Sequence, residues 1–130
     1  MTEYSQYQKA GRPACTELRY ISAEKRLEVA FADGQHFAST AESLRTESPS
    51  GEVQGHGPAQ KTLVQGRRHV GIIGIEPVGT YAVRLKFDDL HDTGIYSWEW
   101  FYDRGHDQEQ LWAAYLAGMD AKGLSREPRR

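Results

Sequence analysis

The sequence predicts an α+β fold: a largely antiparallel β-sheet of about six strands, with a short helix after the first hairpin and a C-terminal helix, in two layers. Three observations lead to this prediction. Apolar and polar residues alternate with period two through most of the chain. The dipeptide Asp33-Gly34 is a strong hairpin signal, and an apolar stripe at helical spacing occurs near the C-terminus. Strands joined by hairpins, together with two helices, are typical of this class.

The first half of the chain predicts three strands and the short helix. Asp33-Gly34 separates the second strand from the third, and we expect a type I′ turn there because both of its central residues take a positive φ. Leu44 would anchor the helix in the core. The expected elements are, in chain order, strands near residues 18–20, 27–31 and 35–38, then a helix capped by Ser39 or Thr40.

The second half predicts three more strands and the C-terminal helix. Residues 70–75 are apolar on both faces, which favours a central strand, and residues 81–87 alternate most regularly. A turn at residues 88–94 leads into a strand over residues 95–101. Asp107 is the expected N-cap of the last helix. The apolar stripe of that helix comprises Leu111, Trp112, Tyr115, Leu116 and Met119.

The length and composition predict one domain. A chain of 130 residues forms a single core, and its polar ends predict a flexible arm over residues 1–13 and a flexible tail over 123–130, around a domain at 14–122. With 16 Lys+Arg against 18 Asp+Glu, the net charge is −2, so we expect neither nucleic acid nor membrane as a partner. A single cysteine, Cys15, and no visible signal peptide favour the cytoplasm.

Two polar loops, residues 48–60 and 88–94, concentrate rigid and titratable residues. If the fold brings them together, their imidazole and carboxylate groups could form a nitrogen- and oxygen-ligated metal site or a small-ligand site. The alternative is that these residues shape and cap turns through local hydrogen bonds. The candidate ligands are Glu52, His56, His91 and Asp92.

No catalytic motif is recognisable. Cys15 has no histidine paired with it in sequence, and neither a nucleophile elbow nor a phosphate-binding loop occurs. The basic cluster at residues 66–69 could touch a phosphate, but a solvated turn is the favoured interpretation. We therefore predict that the chain is not an enzyme, with an unrecognised enzyme that uses His56 or His91 as a base as the minor alternative.

The aromatic run at residues 96–102 admits two interpretations. Part of it would pack under the C-terminal helix as core, and part would form an apolar patch for a protein partner. The candidate interaction surface is Trp98 and Trp100.

At these residues the sequence resembles a known family, the gamma-butyrobetaine hydroxylase-like N-terminal domain, also described as DUF971. The similarity follows the chain in order over most of residues 18–101. The segments that carry it are LEVAFADG (27–34), AESLR (41–45), SPS (48–50), GHGP (55–58), IEPVGTYAVRL (75–85) and FDDLHDTGIYSW (87–98).

The resemblance implies a small α+β domain that performs no chemistry itself. Such domains precede an iron- and 2-oxoglutarate-dependent oxygenase domain or are appended to ATPases that carry iron–sulfur clusters. In the eukaryotic hydroxylases the domain holds a structural zinc through three cysteines and one histidine. His91 matches that histidine, whereas Ser48, Ser50 and Val53 stand where the cysteines fall. A zinc site of that kind is not expected here, because zinc favours thiolate and imidazole ligands.

The sequence therefore predicts a non-catalytic accessory or protein-interaction domain, linked to iron–sulfur or cofactor enzymes. We expect a protein partner, with a homo-oligomer as an open alternative, and no cofactor. The alternative function is a metal or small-ligand binding domain that uses loops 48–60 and 88–94, with zinc or iron as the metal.

Overall fold

Six strands and three helices follow one another in the residues that the computed structural model describes, 12–55, 57 and 60–128. They are β1 (Cys15–Ile21), β2 (Arg26–Phe31), β3 (His36–Thr40), α1 (Ala41–Thr46), α2 (Gly51–Gln54), β4 (Ile72–Val78), β5 (Ala82–Phe87), β6 (Ile95–Ser97) and α3 (Trp98–Ala121).

The strands form two antiparallel sheets of three, in the orders β1-β2-β3 and β4-β5-β6. The predicted α+β class with six antiparallel strands, a short helix and a C-terminal helix is confirmed, but the strands are divided over two sheets. In both central strands the alternation of burial follows the alternation of the sequence. The core side chains that these two strands supply are Leu27, Val29, Phe31, Ala82, Val83, Leu85 and Phe87.

The prediction that the apolar residues 70–75 form a central strand is wrong. Among the strands that the structure describes, β4 pairs with β5 alone, and its register shifts between Ile72 and Gly74. Ile73, the residue between them, is 67% exposed, so an apolar side chain here does not mark a buried face. The edge position also explains how Pro77 is accommodated, since a residue without an N–H fits only where no second strand needs that donor.

The predicted strand over residues 95–101 is also wrong beyond its first three residues. β6 ends at Ser97, whose side chain accepts a hydrogen bond of 3.0 Å from the Trp100 backbone N–H and caps α3. The helix therefore begins at Trp98 and not near Asp107. This local cap overrides the strand propensity of the aromatic run at residues 96–102. From Trp98 onward the side chains of the run are therefore arranged around a helix and do not alternate between two faces of a strand.

The first hairpin has a different turn from the expected type I′. The backbone N–H of Gly34 donates to the Phe31 carbonyl (3.0 Å), and that of Phe31 donates to the Gln35 carbonyl (2.9 Å). Of the two turn residues Asp33 and Gly34, only the glycine takes a positive φ, at 88°. This is the three-residue hairpin loop in which glycine follows a type I turn.

Helix α3 packs against the first sheet through Gly105. A Cβ atom built on Gly105 would lie 2.3 Å from Phe37 Cγ, a ring on β3. The helix backbone therefore approaches the strand more closely than any other residue type permits. Around this contact, Phe37 stacks edge-on with Phe31, Tyr102 and His106.

The described part of the predicted tail, residues 123–128, contacts the domain. The backbone N–H groups of Gly66 and Arg68 donate to the carbonyls of Ser125 and Arg126 at 2.9 and 3.0 Å. The Arg126 guanidinium forms two hydrogen bonds with the buried Glu42 carboxylate, at 2.7 and 2.8 Å. The segment before β4 is thus paired with the C-terminal segment. The domain boundaries at residues 14 and 122 stay a prediction.

The close approach of Gly105 predicts a destabilised variant. Gly105→Ala should lower the free energy of unfolding by about 1–3 kcal/mol, because the overpacking at Phe37 outweighs the better helix propensity of alanine. The measurement is urea denaturation followed by circular dichroism. Gly118→Ala in the same helix is the matched control, since its Cβ would meet only the flexible Leu63 methyl at 3.3 Å. Equal stability of the two variants would contradict the prediction.

Candidate functional site

The loop between α1 and β4 and the loop between β5 and β6 meet at one end of the fold. Glu52 Oε1 lies 3.3 Å from His91 Nδ1 and accepts a hydrogen bond of 2.6 Å from the Thr93 hydroxyl. Two of the four predicted ligands, Glu52 and His91, are thus in contact. Asp92 is exposed beside them, and His56 lies outside the described residues.

A buried hydroxyl pair contacts the other nitrogen of the same imidazole. Ser48 Oγ lies 3.0 Å and Ser50 Oγ 3.5 Å from His91 Nε2, and the two hydroxyls are 3.2 Å apart. Gln54 secures this turn, because its side-chain amide donates to the Ser48 carbonyl at 2.9 Å. Val53 is buried alongside. The three positions that the resemblance pairs with zinc cysteines are therefore buried, and two of them touch His91.

The residues present do not fit a zinc ion. Two hydroxyls and a valine replace the three thiolates, and neutral hydroxyls are not among the ligands that zinc favours. Over residues 12–55, 57 and 60–128 there is also no group of three His, Cys, Asp or Glu side chains placed to hold a metal. The cluster is instead a hydrogen-bonded core of the loop.

Ser48, His91 and Glu52 contact one another in the order of a hydrolase triad. Such a triad requires a nucleophile that a substrate carbonyl can reach. Ser48 has 0% of its surface exposed, so the hydroxyl is enclosed by the protein. The arrangement supports positioning of the imidazole and does not support acyl transfer.

The Asp89 carboxylate connects three segments behind this cluster. Its Oδ2 accepts a hydrogen bond of 2.8 Å from Arg45 Nε and lies 2.6 Å from Arg67 Nε, while its Oδ1 accepts one of 3.0 Å from the His91 backbone N–H. Burial raises the pKa of Asp89, but the His91 hydrogen bond and the two arginines outweigh burial and hold the pKa below its usual range. Asp89 is therefore a fixed negative charge.

His91 is held neutral by the same surroundings. Burial lowers the pKa of its imidazole below the usual range, and the positive charge of Arg45 lowers this pKa further. The carboxylates of Glu52, Asp89 and Asp92 act on this pKa in the opposite direction without reversing the shift. At neutral pH the ring is thus an uncharged hydrogen-bonding group.

Arg45 has a buried donor that is not satisfied within the described residues. The residue is 8% exposed, and Asp89 takes only its Nε. Its Nη1 atom is buried and donates to no residue of the described chain. An unpaired buried donor costs about 1–3 kcal/mol, and more when the group is charged.

A cavity of about 490 Å³ opens beside Arg45. One wall is an extended segment, residues 62–67, which is held by the backbone N–H of Thr62 on the Val53 carbonyl (2.7 Å) and by the Tyr115 hydroxyl on the Val64 carbonyl (2.5 Å). The volume lies in the range of small-molecule sites. The side chains that give the cavity its character are Arg45, Glu52, Val53, Leu63, Arg67 and His91.

The sequence predicted the two loops but not the two arginines of this cavity. Arg67 belongs to the basic cluster at residues 66–69, which was interpreted as a solvated turn. Arg45 was part of a matching segment without an assigned role. The sequence feature that could have indicated buried partners for these arginines is the acidic turn at residues 88–92, which has more carboxylates than a turn requires.

The two tryptophans of the predicted interaction surface are half-buried at the start of α3. Trp98 donates its indole N–H to the Thr80 carbonyl at 2.9 Å. Trp100 packs edge-on against Tyr96 at 4.9 Å, and the Arg104 guanidinium lies 5.4 Å from the centre of its ring. Both rings pack against the core, and their role as an interaction surface stays a prediction.

The fold and this loop cluster define a small α+β domain of two three-stranded sheets with a polar cavity at the loop end. The family described as gamma-butyrobetaine hydroxylase-like, N-terminal, matches residues 18–102. The chain belongs to this family. The match contains an N-terminal domain and no catalytic domain.

Solved structures share the fold. A protein known from an NMR solution structure is 45% identical, with a TM-score of 0.79, over 94% of this chain and 91% of its own. A second NMR structure is 39% identical, with a TM-score of 0.78, over 91% and 93%. A crystal structure from Acidithiobacillus ferrooxidans, of a DUF971-family protein of unknown function, is 39% identical, with a TM-score of 0.56, over 67% and 86%.

Two further comparisons are negative. No match is found among curated proteins. Within residues 12–55, 57 and 60–128, no helix combines the length and the apolar character needed to cross a membrane.

The depressed pKa of His91 predicts a pH dependence of stability. The unfolded chain protonates His91 near pH 6.5, before the folded protein does, so the unfolded state binds more protons just below that pH. The free energy of unfolding should therefore fall as the pH drops from about 7.5 to 5, and this residue contributes at most about 1.4 kcal/mol per pH unit.

The measurement is urea denaturation across this range for the wild type and His91→Gln. In His91→Gln the free energy of unfolding should change less steeply with pH than in the wild type, because the contribution of His91 is lost. His36→Gln, which replaces an exposed histidine, should keep the wild-type dependence on pH. Identical slopes for the wild type and His91→Gln would contradict the prediction.

Proposed function

We propose that this protein is a non-catalytic binding domain that takes a small molecule into the cavity between Glu52 and Val53, the segment 62–67 and His91. The observation that carries the proposal is the buried Arg45, which lines this cavity and has a buried donor, Nη1, that no described residue satisfies. A domain that only needed packing would gain by filling or pairing this group. Ligand recognition therefore explains the arrangement better than structure alone.

The proposal selects the small-ligand alternative over a metal. The contacts of His91 with Ser48, Ser50 and Glu52 engage both ring nitrogens. A ring committed to these contacts has no free nitrogen for a metal. We expect no bound cofactor, and elemental analysis of protein purified without affinity metals is the direct check.

In this proposal the domain is an accessory to other proteins and not an enzyme. The burial of Ser48 supports this proposal against a hydrolase, and so does the match to a family described as an N-terminal domain. A bound ligand would then be sensed or presented to a partner, among which iron–sulfur and cofactor enzymes are the candidates. A single cysteine fits a cytoplasmic location.

Blocking the cavity should abolish ligand binding. Thr62 is exposed at the cavity wall, so Thr62→Trp fills the opening without disturbing the core. Saturation-transfer NMR against a library of small acids, amines and neutral compounds should find compounds that bind the wild type and not this variant. Thr16→Trp, at an exposed position of β1, is the matched control and should bind as the wild type does.

Two outcomes would remove the proposal. One is a library in which no compound binds the wild type. The other is binding that survives unchanged in Thr62→Trp while both tryptophan variants remain folded.

A second candidate, a protein contact at the β5–β6 turn, is favoured by Leu90. This leucine is 83% exposed and has a positive φ of 75°. A left-handed backbone at a residue other than glycine costs about 1–2 kcal/mol, and strain of this kind clusters at functional positions. An apolar side chain exposed on a strained backbone does not stabilise the fold.

Leu90→Gly relieves the backbone strain and removes the side chain. This variant should stay folded and lose a protein partner that cross-linking recovers with the wild type. Ile73→Thr, which removes an exposed apolar side chain from β4, is the control and should retain the partner. A partner recovered equally with Leu90→Gly would count against the contact.

A further inference from the structure

We infer that the ligand of this cavity carries a single carboxylate, which pairs with the terminal edge of the Arg45 guanidinium and extends a hydrocarbon body along residues 53 and 63–64. This inference rests on the small-ligand function proposed above and specifies the chemical class of the ligand.

The first argument is the hydrogen-bonding state of Arg45. Asp89 accepts a hydrogen bond only from the Nε of Arg45, and the buried Nη1 of Arg45 donates to no described residue. A guanidinium presents its donors as a rigid planar fork that matches a carboxylate in bidentate fashion. A ligand carboxylate at the terminal edge would therefore supply the acceptors that the protein withholds.

The second argument is the charge that lines the cavity. Arg45 and Arg67 are positive, Glu52 is negative and His91 is neutral at pH 7. Asp89, which contacts both arginines, offsets much of their charge from behind. The side chains that line the cavity carry one net positive charge, which Asp89 reduces from behind. A monoanion therefore suits the site better than a dianion, whose second anionic group would face the Glu52 carboxylate.

The third argument is the apolar part of the wall. Val53, Leu63 and Val64 line the same cavity, and the half-buried Leu63 and Val64 supply its accessible apolar surface. An inorganic anion would leave this surface in contact with water, whereas the methylene groups of an organic acid would cover it and gain free energy by leaving water. The cavity therefore favours an acid with several carbon atoms over acetate or phosphate.

The test compares ligands that share one body and differ in the headgroup. Hexanoate, hexanamide, hexylamine, hexyl phosphate and adipate are titrated at pH 7.5 into 15N-labelled full-length protein, and amide shifts give each dissociation constant. Hexanoate should bind at least ten-fold more tightly than each of the others and more tightly than acetate. Its shifts should centre on residues 45, 53 and 62–67.

A variant series assigns the contact to Arg45. Arg45→Lys keeps the charge and loses the fork, and it should weaken hexanoate at least ten-fold while leaving hexanamide unchanged. Arg84→Lys, which alters an exposed arginine paired with Glu76, is the matched control. If Arg45→Lys does not fold, the headgroup series on the wild type decides the question.

The outcomes separate this inference from the proposed function. The inference of a monocarboxylate would be overturned if hexanamide bound as tightly as hexanoate, or if adipate or hexyl phosphate bound more tightly than hexanoate. Either result would still leave a ligand-binding cavity in place. Unchanged hexanoate affinity in a folded Arg45→Lys would overturn the role of Arg45. The absence of binding by every compound of this series and of the library would remove the proposed function itself.

Discussion

The Asp89 carboxylate is the interaction on which the rest of the loop end depends. It joins Arg45 of α1, Arg67 of the segment before β4 and the backbone of His91 in the β5–β6 turn. These partners are distant in sequence, so one acidic side chain fixes the relative positions of three segments. Two arginines brought so close together would repel each other without it. The cavity exists because this charge is in place.

Much of the fold was predictable because its signals are local. The alternation in β2 and β5 and the cap at Thr40, which accepts from the Ser43 backbone N–H at 3.0 Å, are encoded within a few residues. The division of the strands into two sheets is not encoded locally, because it depends on which strand edges remain unpaired. The same limit explains residues 70–75, where an apolar sequence is equally compatible with a central strand and with an exposed bulge at Ile73.

The site was predictable to a similar degree. Glu52 and His91 were found because loop composition marks chemistry-bearing turns. Arg45 and Arg67 were missed because an arginine in a helix or a turn has the same local pattern whether it faces solvent or a buried carboxylate. Only the tertiary contact with Asp89 distinguishes the two cases. The resemblance to relatives likewise marked Ser48 and Ser50 as positions of interest without indicating that they form a hydrogen-bonded core.

The pairing of the C-terminal segment with residues 66 and 68 has an evolutionary consequence. The two hydrogen bonds flank Arg67, which lines the cavity, and they come from residues beyond the stretch that defines the family. The wall that carries Arg67 is therefore held in part by residues outside that stretch. Relatives that exchange only their last residues could reposition this wall and change what they recognise, while the two sheets and the buried polar core stay the same.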